Sequence, residues 1–394
     1  MADTMKYGNG SNASQGAQNI VFFYEKAGII AANAKNIYGQ FADRKSMPLN
    51  YGKEYRISRW QHIYDRKLAD VEFAKHGFLS SRDIENVSNG LNAAKLSEGD
   101  GRKNLVDFQK VTLKTSFAKY GEMIEYTDEE DLFAEDYMQT RYYEELGSLA
   151  NVRNEDLIQL DMLGTGNVLY SGLGTNLATM GNGIVANGSL DDQYRVSYDL
   201  IRKSVQKLVR NRAEKNTEIV TGSTKIDTKT INRSFYAIIG PEVKYDLENA
   251  TRGKGNTEEF SYIPVYKYAD ASKLAEGEVG AMHEVRFIES ETAVVYRKKG
   301  ANVPASYAGT LSYSGTIGTD AKFDVFPILF PTKGAFATVG LKGHNKIKFM
   351  SQDPNKVDLS NPYAAKGFFS YKMWYAGIIL QEERLLKTLV LASA

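Results

Sequence analysis

The sequence predicts an α+β protein, and three observations support that fold class. A long helical pattern runs from Thr127 to about Leu163, and a shorter amphipathic pattern covers 196–216. Beyond about residue 285, runs of aromatic and β-branched residues are typical of strands. With 394 residues and 42% hydrophobic residues, the chain is long and apolar enough to bury at least one sizeable core. No period of about 20 to 50 residues recurs, which argues against a solenoid or a propeller.

The composition narrows the classes of function. The formal net charge is only +1, so the chain as a whole carries no field that would mark a nucleic-acid or membrane-surface binder. The chain contains no cysteine, which excludes disulfides, thiolate nucleophiles and sulfur-ligated metals. It has neither an apolar run of about 18 residues nor the pattern of a signal peptide, and we expect a protein that is made and kept in a cytoplasm.

The N-terminal part is predicted to be a polar arm that leads into a helix and then a strand. Residues 1–19 are rich in Gly, Ser, Asn and Gln, and 20–42 has apolar residues at helical spacing. The predicted strand places Tyr55, Ile57 and Arg59 on one side and Arg56 and Ser58 on the other.

The stretch from about 61 to 112 is charged and has few residues suited to a core. A connection of this length is unusual inside a compact domain, so we predict an excursion away from the body of the protein. The returning strand is marked by the alternating residues Val111, Leu113, Thr115 and Phe117.

The predicted long helix has a well-marked start. Thr127 and Glu130 have the spacing of a capping box, and further acidic residues suit the positive end of the helix dipole. Gly164 and Gly166 end the pattern, and at about 1.5 Å per residue the helix would span roughly 50 Å. Its predicted buried stripe consists of Phe133, Tyr137, Leu146, Leu149, Leu157 and Leu160.

A glycine-rich connector over 164–183 leads to the second helix and then to a strand followed by a helix. The run FYAIIG (235–240) is predicted to be a short buried strand, and Pro241 suits the first turn of the helix after it. The apolar face of the second helix is predicted to comprise Val196, Leu200, Ile201, Val205, Leu208 and Val209.

Most motif-like segments have a simpler structural explanation. The histidines, at positions 62, 76, 283 and 344, lack the spacing of a zinc or iron site. The acidic run 127–136 lacks the turn glycine of a calcium loop, and neither the connector nor Lys254 has the context of a phosphate loop. A basic stripe comprises Arg202, Lys203, Lys207, Arg210, Arg212 and Lys215. It could contact a phosphate backbone, but without an aromatic platform a solvated helix face is the favoured interpretation.

The segment EGEVGAMHEVRFIES (276–290) has the charged composition of an active-site loop. An acid–base site would need partners elsewhere, and the sequence has no GxSxG elbow, no cysteine and no cofactor fingerprint. From the residues alone we predict a turn that enters a strand, with Val285, Phe287 and Ile288 largely buried and charges paired at its ends. No catalytic, cofactor-binding or metal-binding residue is predicted, and an α/β enzyme that uses this loop is the rival class.

Several segments occur in an order that resembles one family of viral proteins. They are FAKYGEMIEYTDEE, LGTGNVLYSG, FYAIIGPEVKYDLEN, LAEGEVGAMHEVRFIES, PILFPTKGAFATVGLKG and the DP…WYAGIIL…R tail. From about residue 45 to its end, the chain resembles the coliphage N-four-like family of tailed-phage major capsid proteins, which has the Hong Kong 97-like fold. Each motif is loose by itself, and their order and spacing carry the likeness.

The resemblance implies how the chain is divided. It implies an N-terminal arm (1–50), an extended loop (51–120), a peripheral domain with a long spine helix (121–165) and an axial domain (166–275). It further implies peripheral-domain strands and a loop (276–320), more of the axial domain (321–370) and a C-terminal strand (371–394).

The resemblance also implies a function and partners. The chain would self-assemble into the icosahedral head of a tailed double-stranded DNA phage, without enzymatic activity or a cofactor. Expected partners are copies of itself in hexamers and pentamers, a separate scaffolding protein, a portal protein, an optional decoration protein and packaged DNA held by non-specific contact, with no membrane. The expected location is the virion, after assembly in the cytoplasm of the bacterial host. An encapsulin-like compartment shell shares the fold and is the main alternative, and packaged protein in place of DNA would distinguish it.

The same resemblance implies contacts between neighbouring subunits. Intersubunit contacts are predicted at Phe73, Phe78, Leu79, Glu278, Arg286 and Glu289. The lysines of the extended loop are Lys67, Lys75, Lys95 and Lys103. Some related shells carry Lys–Asn isopeptide bonds, but no signature marks a bonding lysine here and we predict no covalent crosslink.

Overall fold

A computed structural model gives the fold of the chain. It describes residues 36–394 except 61–83, 100, 102–109, 134–138, 221–229, 253–258, 261, 269–273, 344–346, 355 and 358–360. Most of the predicted arm and much of the predicted excursion therefore lie outside the described residues. Of the predicted helix over 20–42, the described end contains a 3-10 turn at Tyr38–Phe41.

The helices and strands are numbered in chain order. The helices are α1 (Ile84–Ala94), α2 (Asp128–Phe133), α3 (Gln139–Leu163), α4 (Asp191–Tyr194), α5 (Tyr198–Arg210) and α6 (Pro241–Glu248). The first ten strands are β1 (Asp43–Met47), β2 (Glu54–Trp60), β3 (Lys110–Ser116), β4 (Ala118–Tyr120), β5 (Met123–Thr127), β6 (Val168–Tyr170), β7 (Phe235–Ile239), β8 (Thr251–Arg252), β9 (Glu259–Phe260) and β10 (Ile263–Pro264). The others are β11 (Glu278–Met282), β12 (Val285–Glu289), β13 (Tyr313–Ser314), β14 (Lys322–Phe323), β15 (Phe326–Phe330), β16 (Phe336–Leu341), β17 (Lys348–Gln352), β18 (Lys366–Tyr375), β19 (Gly377–Ile379) and β20 (Leu386–Val390).

A seven-stranded sheet forms the centre of the molecule, in the order β10-β11-β12-β7-β15-β20-β6. The pairs β12–β7 and β20–β6 are parallel, and the other neighbours are antiparallel. Strands β7, β12 and β15 consist almost wholly of buried residues, which explains their continuous apolar runs. Segments 166–275 and 276–320, which the resemblance assigns to different domains, both contribute strands to this sheet, since β12 pairs with β7.

Helices cover both faces of the central sheet. Successive strand residues point to opposite faces, so neighbours in β7 belong to different layers of the core. On one face, α5 buries Ile201 and Leu208 in a cluster with Phe235 and Ala237. On the other face, the C-terminal part of α3 buries Met162 in a cluster with Ile238. The predicted amphipathic helix, the buried strand and the helix that starts at Pro241 are all confirmed.

The first half of α3 packs on a second sheet of four strands. In that sheet β18 pairs with β17 on one side and with β4 and β5 on the other. Along β18 buried residues alternate with more exposed ones, and its Phe369 and Tyr371 cluster with Leu146 and Ala150 of α3. Helix α3 therefore connects the two sheets.

Strands β2 and β3 form an antiparallel hairpin in register along their whole length, which confirms the predicted strand and returning strand. Burial alternates along both strands as predicted, with Tyr55, Ile57 and Arg59 on the less exposed side. Tyr55 and Ile57 pack on a cluster from the three-stranded sheet β1-β16-β19, which includes Met47 and Ile378. This packing attaches the hairpin to the body.

The predicted long helix is present in two described parts, α2 and α3, and the residues between them lie outside the described part of the chain. The backbone N–H of Glu130 donates to Thr127 Oγ1 at 3.4 Å, as expected for an N-cap. Leu146 is buried as predicted, but Phe133 and Leu160 are 83% and 55% exposed, so the prediction is wrong for both. Toward the end of α3 the buried face consists of Glu155, Ile158, Gln159 and Met162, and Leu160 points away from it; the apolar pattern did not indicate the two polar members of this face.

Two further features differ from the prediction. Val209, assigned to the buried face of α5, is 52% exposed, whereas its neighbour Leu208, which points in a different direction from the helix axis, is buried in the core. Helix α1 was not predicted, and it lies inside the stretch that we interpreted as an excursion. Its asparagines and Gly90 have low helix propensity, which weakened the helical signal there.

Candidate functional site

The charged segment 276–290 folds as a β-hairpin of β11 and β12, which are joined by a two-residue turn at His283 and Glu284. Val285, Phe287 and Ile288 are completely buried, which confirms the predicted turn that enters a buried strand. His283 adopts φ 56°, an uncommon conformation for a residue other than glycine, and its ring packs edge-on against Tyr198 with centroids 5.8 Å apart.

The charges at the ends of this hairpin are paired, as predicted. Glu284 accepts from Lys215 Nζ at 2.7 Å, and Glu289 accepts from Lys244 Nζ at 2.6 Å. The first pair joins the turn to the segment that follows α5, and the second joins β12 to α6. Both pairs are partly exposed, so each contributes on the order of 1 kcal/mol or less to stability.

A third charge pair of the hairpin lies in the interior of the protein. Arg286 Nε is 3.9 Å from Glu278 Oε1, and the two side chains are 1% and 0% exposed. A guanidinium N–H of Arg286 also donates to the Glu218 carbonyl at 3.0 Å, while Glu278 accepts from the Ala275 N–H at 3.1 Å. Burial raises the pKa of Glu278, against the opposing effects of the Ala275 N–H and the Arg286 charge. This pair serves the packing of its own subunit.

The residues predicted to form intersubunit contacts differ in how far they are buried within their own chain. Glu278 and Arg286 are enclosed by their own chain, so the structure gives no support to their prediction as contacts between subunits. Glu289 is partly exposed and remains a predicted contact. Phe73, Phe78 and Leu79 lie outside the described residues.

A small cavity of about 160 Å³ lies beside the hairpin. It is lined by Ile37, Gly277, Glu278, Val279, Glu289, Glu291 and Thr292. In the part of the chain that the structure describes, no group of three or more His, Asp or Glu side chains is arranged to hold a metal ion. Three of the lining residues are glutamates, so the cavity is acidic, and Lys244 already pairs with the carboxylate of Glu289.

The basic stripe of α5 is largely engaged within the chain. Lys203 pairs with Asp199 at 2.9 Å on the solvent side, in agreement with the predicted solvated face. Lys207 instead reaches inward and donates to the Val168 carbonyl at 2.9 Å, and burial lowers its pKa. Arg202 lies over the ring of Tyr198 at 5.9 Å. The stripe is not one continuous row of free cations.

Two polar anchors were missed by the sequence analysis. The carboxylate of Glu155 accepts the backbone N–H groups of Tyr38 and Gly39 at 2.7 and 3.2 Å. Arg59 binds Glu383 through two hydrogen bonds of 2.9 and 2.7 Å. Both anchors join residues more than a hundred positions apart, so local spacing carries no signal for them.

The described surface carries apolar residues on α1. Ile84 and Leu91 are 86% and 68% exposed, and their spacing of seven places them on one side of the helix. No described helix combines the length and apolar character needed to cross a bilayer.

The fold of the chain is shared with chains from three solved phage capsids. The capsid of Ralstonia phage GP4 contains a chain with a TM-score of 0.56 and 10% identity, covering 98% of this chain and 99% of that one. The capsid structure of cyanophage P-SCSP1u gives a TM-score of 0.53 and 11% identity over 97% and 96% of the two chains. The head structure of Helicobacter pylori bacteriophage KHP40 gives 0.51 and 10% over 98% and 99%. At these identities the likeness concerns the fold alone.

A particular relative is similar in sequence over almost its whole length. The chain is 29% identical over 399 aligned positions to the major capsid protein of Pseudomonas phage KPP21, and the alignment covers 96% of this chain and 95% of that protein. No protein-family model matches the sequence.

Proposed function

We propose that the chain is a major capsid protein that self-assembles into the icosahedral head of a tailed double-stranded DNA phage and encloses its genome. The observation that carries this proposal is the end-to-end similarity to the major capsid protein of phage KPP21. The shared fold of three phage capsid chains supports it independently, because those chains are also matched over nearly their full lengths.

The proposal extends to the Hong Kong 97-like form of the fold and to the coliphage N-four-like family. In this assignment α3 is the spine helix, and with the four-stranded sheet it makes the peripheral domain. The hairpin β2–β3 is the base of the extended loop. The central sheet with α5 and α6 makes the axial domain, and the pairing of β12 with β7 supports moving the 276–289 hairpin into that domain.

The proposed partners follow from the proposed shell. They are copies of the chain in hexamers and pentamers, a scaffolding protein, a portal protein, an optional decoration protein and packaged DNA. The location is the virion, after assembly in the bacterial cytoplasm. A structural role without catalysis fits the 276–290 hairpin, whose Glu278 and Arg286 are engaged in interior contacts.

Contact with DNA is proposed to be electrostatic and independent of base sequence. The net charge of +1 gives no strong general attraction, and the stripe on α5 is largely engaged within the chain. Binding of the free subunit to short duplexes of unrelated sequence should be equally weak and should fall with added salt. Preference for one duplex at physiological salt would contradict this part of the proposal.

Expression of the full chain tests the central proposal. In size-exclusion chromatography the protein should elute as capsomers or as very large particles, and negative-stain microscopy of the large fraction should show closed shells. A small oligomer under all assembly conditions, with or without phage lysate proteins, would favour the enzyme class. Shells from infected cells should contain nuclease-protected DNA, and a protein cargo in its place would favour a compartment shell.

A further inference from the structure

The hairpin β2–β3 is bound to the body of the chain by a bidentate ion pair. Arg59 Nη1 and Nη2 donate to the two carboxylate oxygens of Glu383 at 2.9 and 2.7 Å. A paired contact of this kind fixes the relative orientation of the two groups as well as their distance. The side chains are only 21% and 7% exposed, so solvent screens the pair weakly.

Glu383 is itself held by the body on two sides. Its backbone carbonyl accepts the side-chain amides of Asn167 and Asn211, both at 2.7 Å. Asn167 belongs to the connector after α3, and Asn211 caps the end of α5. The carboxylate that receives Arg59 is thus part of a fixed framework.

The position of Arg59 along the hairpin determines how strongly this contact restrains the hairpin. Tyr55 and Ile57 pack on the three-stranded sheet, and Thr115 Oγ1 donates to the Gly377 carbonyl at 2.8 Å. Arg59 lies four residues beyond Tyr55 on the same side of β2, about 13 Å further along the strand. A contact that far from the base restrains rotation of the hairpin about its base more strongly than the apolar contacts do.

We propose that the Arg59–Glu383 pair sets the angle between the hairpin and the body, and that this angle determines the curvature of the assembled shell. The second step rests on the proposed function. In a closed shell every copy repeats the same contacts, so a small change of angle in each subunit changes how the surface closes.

The test compares two variants on the same strand. The double variant R59M/E383Q removes the ion pair without leaving one charge buried alone, which keeps the fold intact. The control is R56M, because Arg56 also lies on β2 and forms an ion pair at 2.8 Å, but with Glu54 of its own strand and in solvent. Thermal unfolding of the subunit establishes that both variants remain folded.

The first measurement uses single subunits. The chain has no cysteine, so Lys110→Cys on β3 and Lys203→Cys on α5 can be spin-labelled selectively, and the distance distribution between them reports the angle. The labelled protein without further substitutions and the labelled R56M variant should each give one narrow distance distribution. The labelled R59M/E383Q variant should give a broader or displaced distribution. Equal distributions in all three proteins would overturn the proposal.

The second measurement uses assembled particles. R59M/E383Q should give shells with a broader or shifted distribution of diameters, or sheets that do not close, while R56M shells keep the original diameter. Unchanged shells together with a broadened distance distribution would overturn the curvature step. Absence of shells from the unmodified chain would overturn the proposed function and with it the curvature step. The distance measurement would still decide whether the Arg59–Glu383 pair sets the angle of the hairpin.

Discussion

At the scale of single residues, Glu155 determines how the chain enters the fold. Its carboxylate accepts the N–H groups of Tyr38 and Gly39 at the start of a 3-10 turn, where an anion is favourable because those donors have no backbone partner. Ile37 and Tyr38 are thereby held between α3 and the central sheet, in a cluster with Ile238. Burial raises the pKa of Glu155, although the backbone N–H groups act in the opposite direction.

The raised pKa of Glu155 predicts how stability depends on pH. A carboxyl whose pKa is higher in the folded state contributes stability that is full below the unfolded pKa and is lost as the pH rises through the folded pKa. The wild-type chain should therefore exceed Glu155→Gln in unfolding free energy most clearly at acid pH, with the difference shrinking toward neutral pH. Urea unfolding of both proteins between about pH 4 and pH 7 measures this. Glu145→Gln, at an exposed site of the same helix, controls for the loss of one charge, and a difference that grows with pH would refute the assignment.

The interior pair of Glu278 and Arg286 predicts strong coupling between two substitutions. Arg286→Met alone leaves a buried carboxylate without its cation and should cost about 3 to 5 kcal/mol of unfolding free energy. The double variant R286M/E278Q removes both charges and should cost clearly less than the two single variants added together. Chemical unfolding of the four proteins gives the coupling, and simple additivity would show that the two charges do not interact.

At the scale of elements, strands were easier to predict from the sequence than long-range polar contacts. The alternation that places Tyr55 and Ile57 on one side of β2 follows from the two-residue period of a strand, and the structure confirms it. The partner of Arg59 could not be predicted, because Glu383 lies 324 positions away. In α3 the buried Glu155 breaks the apolar pattern, since its partners are backbone groups that any sequence carries.

Helix α3 offers a matched pair of leucines that tests how it joins the two sheets. Leu146 is buried in the cluster with Phe369, Tyr371 and Met373, whereas Leu160 is exposed on the same helix. Leu146→Ala should lower the unfolding free energy by about 2 to 5 kcal/mol, because it removes buried methyl groups and leaves a cavity. Leu160→Ala should change it by roughly 0.5 kcal/mol or less. Equal effects measured by thermal unfolding would mean that the helix presents a different face to the second sheet.

At the scale of the whole molecule, the distribution of apolar surface separates folding from assembly. The core clusters lie between α5, the central sheet and α3, so the body of the subunit has its own interior. Ile84 and Leu91 of α1 are instead exposed, and they lie in the stretch that the sequence analysis predicted to leave the body. Exposed apolar groups on one side of a helix mark a surface for interaction, and in the proposed shell a neighbouring copy would cover them.

This separation predicts a variant that folds normally and assembles poorly. Replacing both Ile84 and Leu91 by serine removes exposed side chains, so the unfolding free energy of the subunit should change by roughly 0.5 kcal/mol or less. If a neighbour buries these side chains, each contributes about 1.5 to 3 kcal/mol per contact, repeated in every copy, and the yield of closed shells should collapse. Asn89→Ala is the control and should assemble normally, because Asn89 is exposed on the opposite side of the same helix. Trypsin cleavage after Lys95 gives an independent measure, because that site should be cut in free subunits and protected in shells. Normal shell yield from the double variant, with Lys95 equally accessible in both states, would show that α1 stays uncovered after assembly.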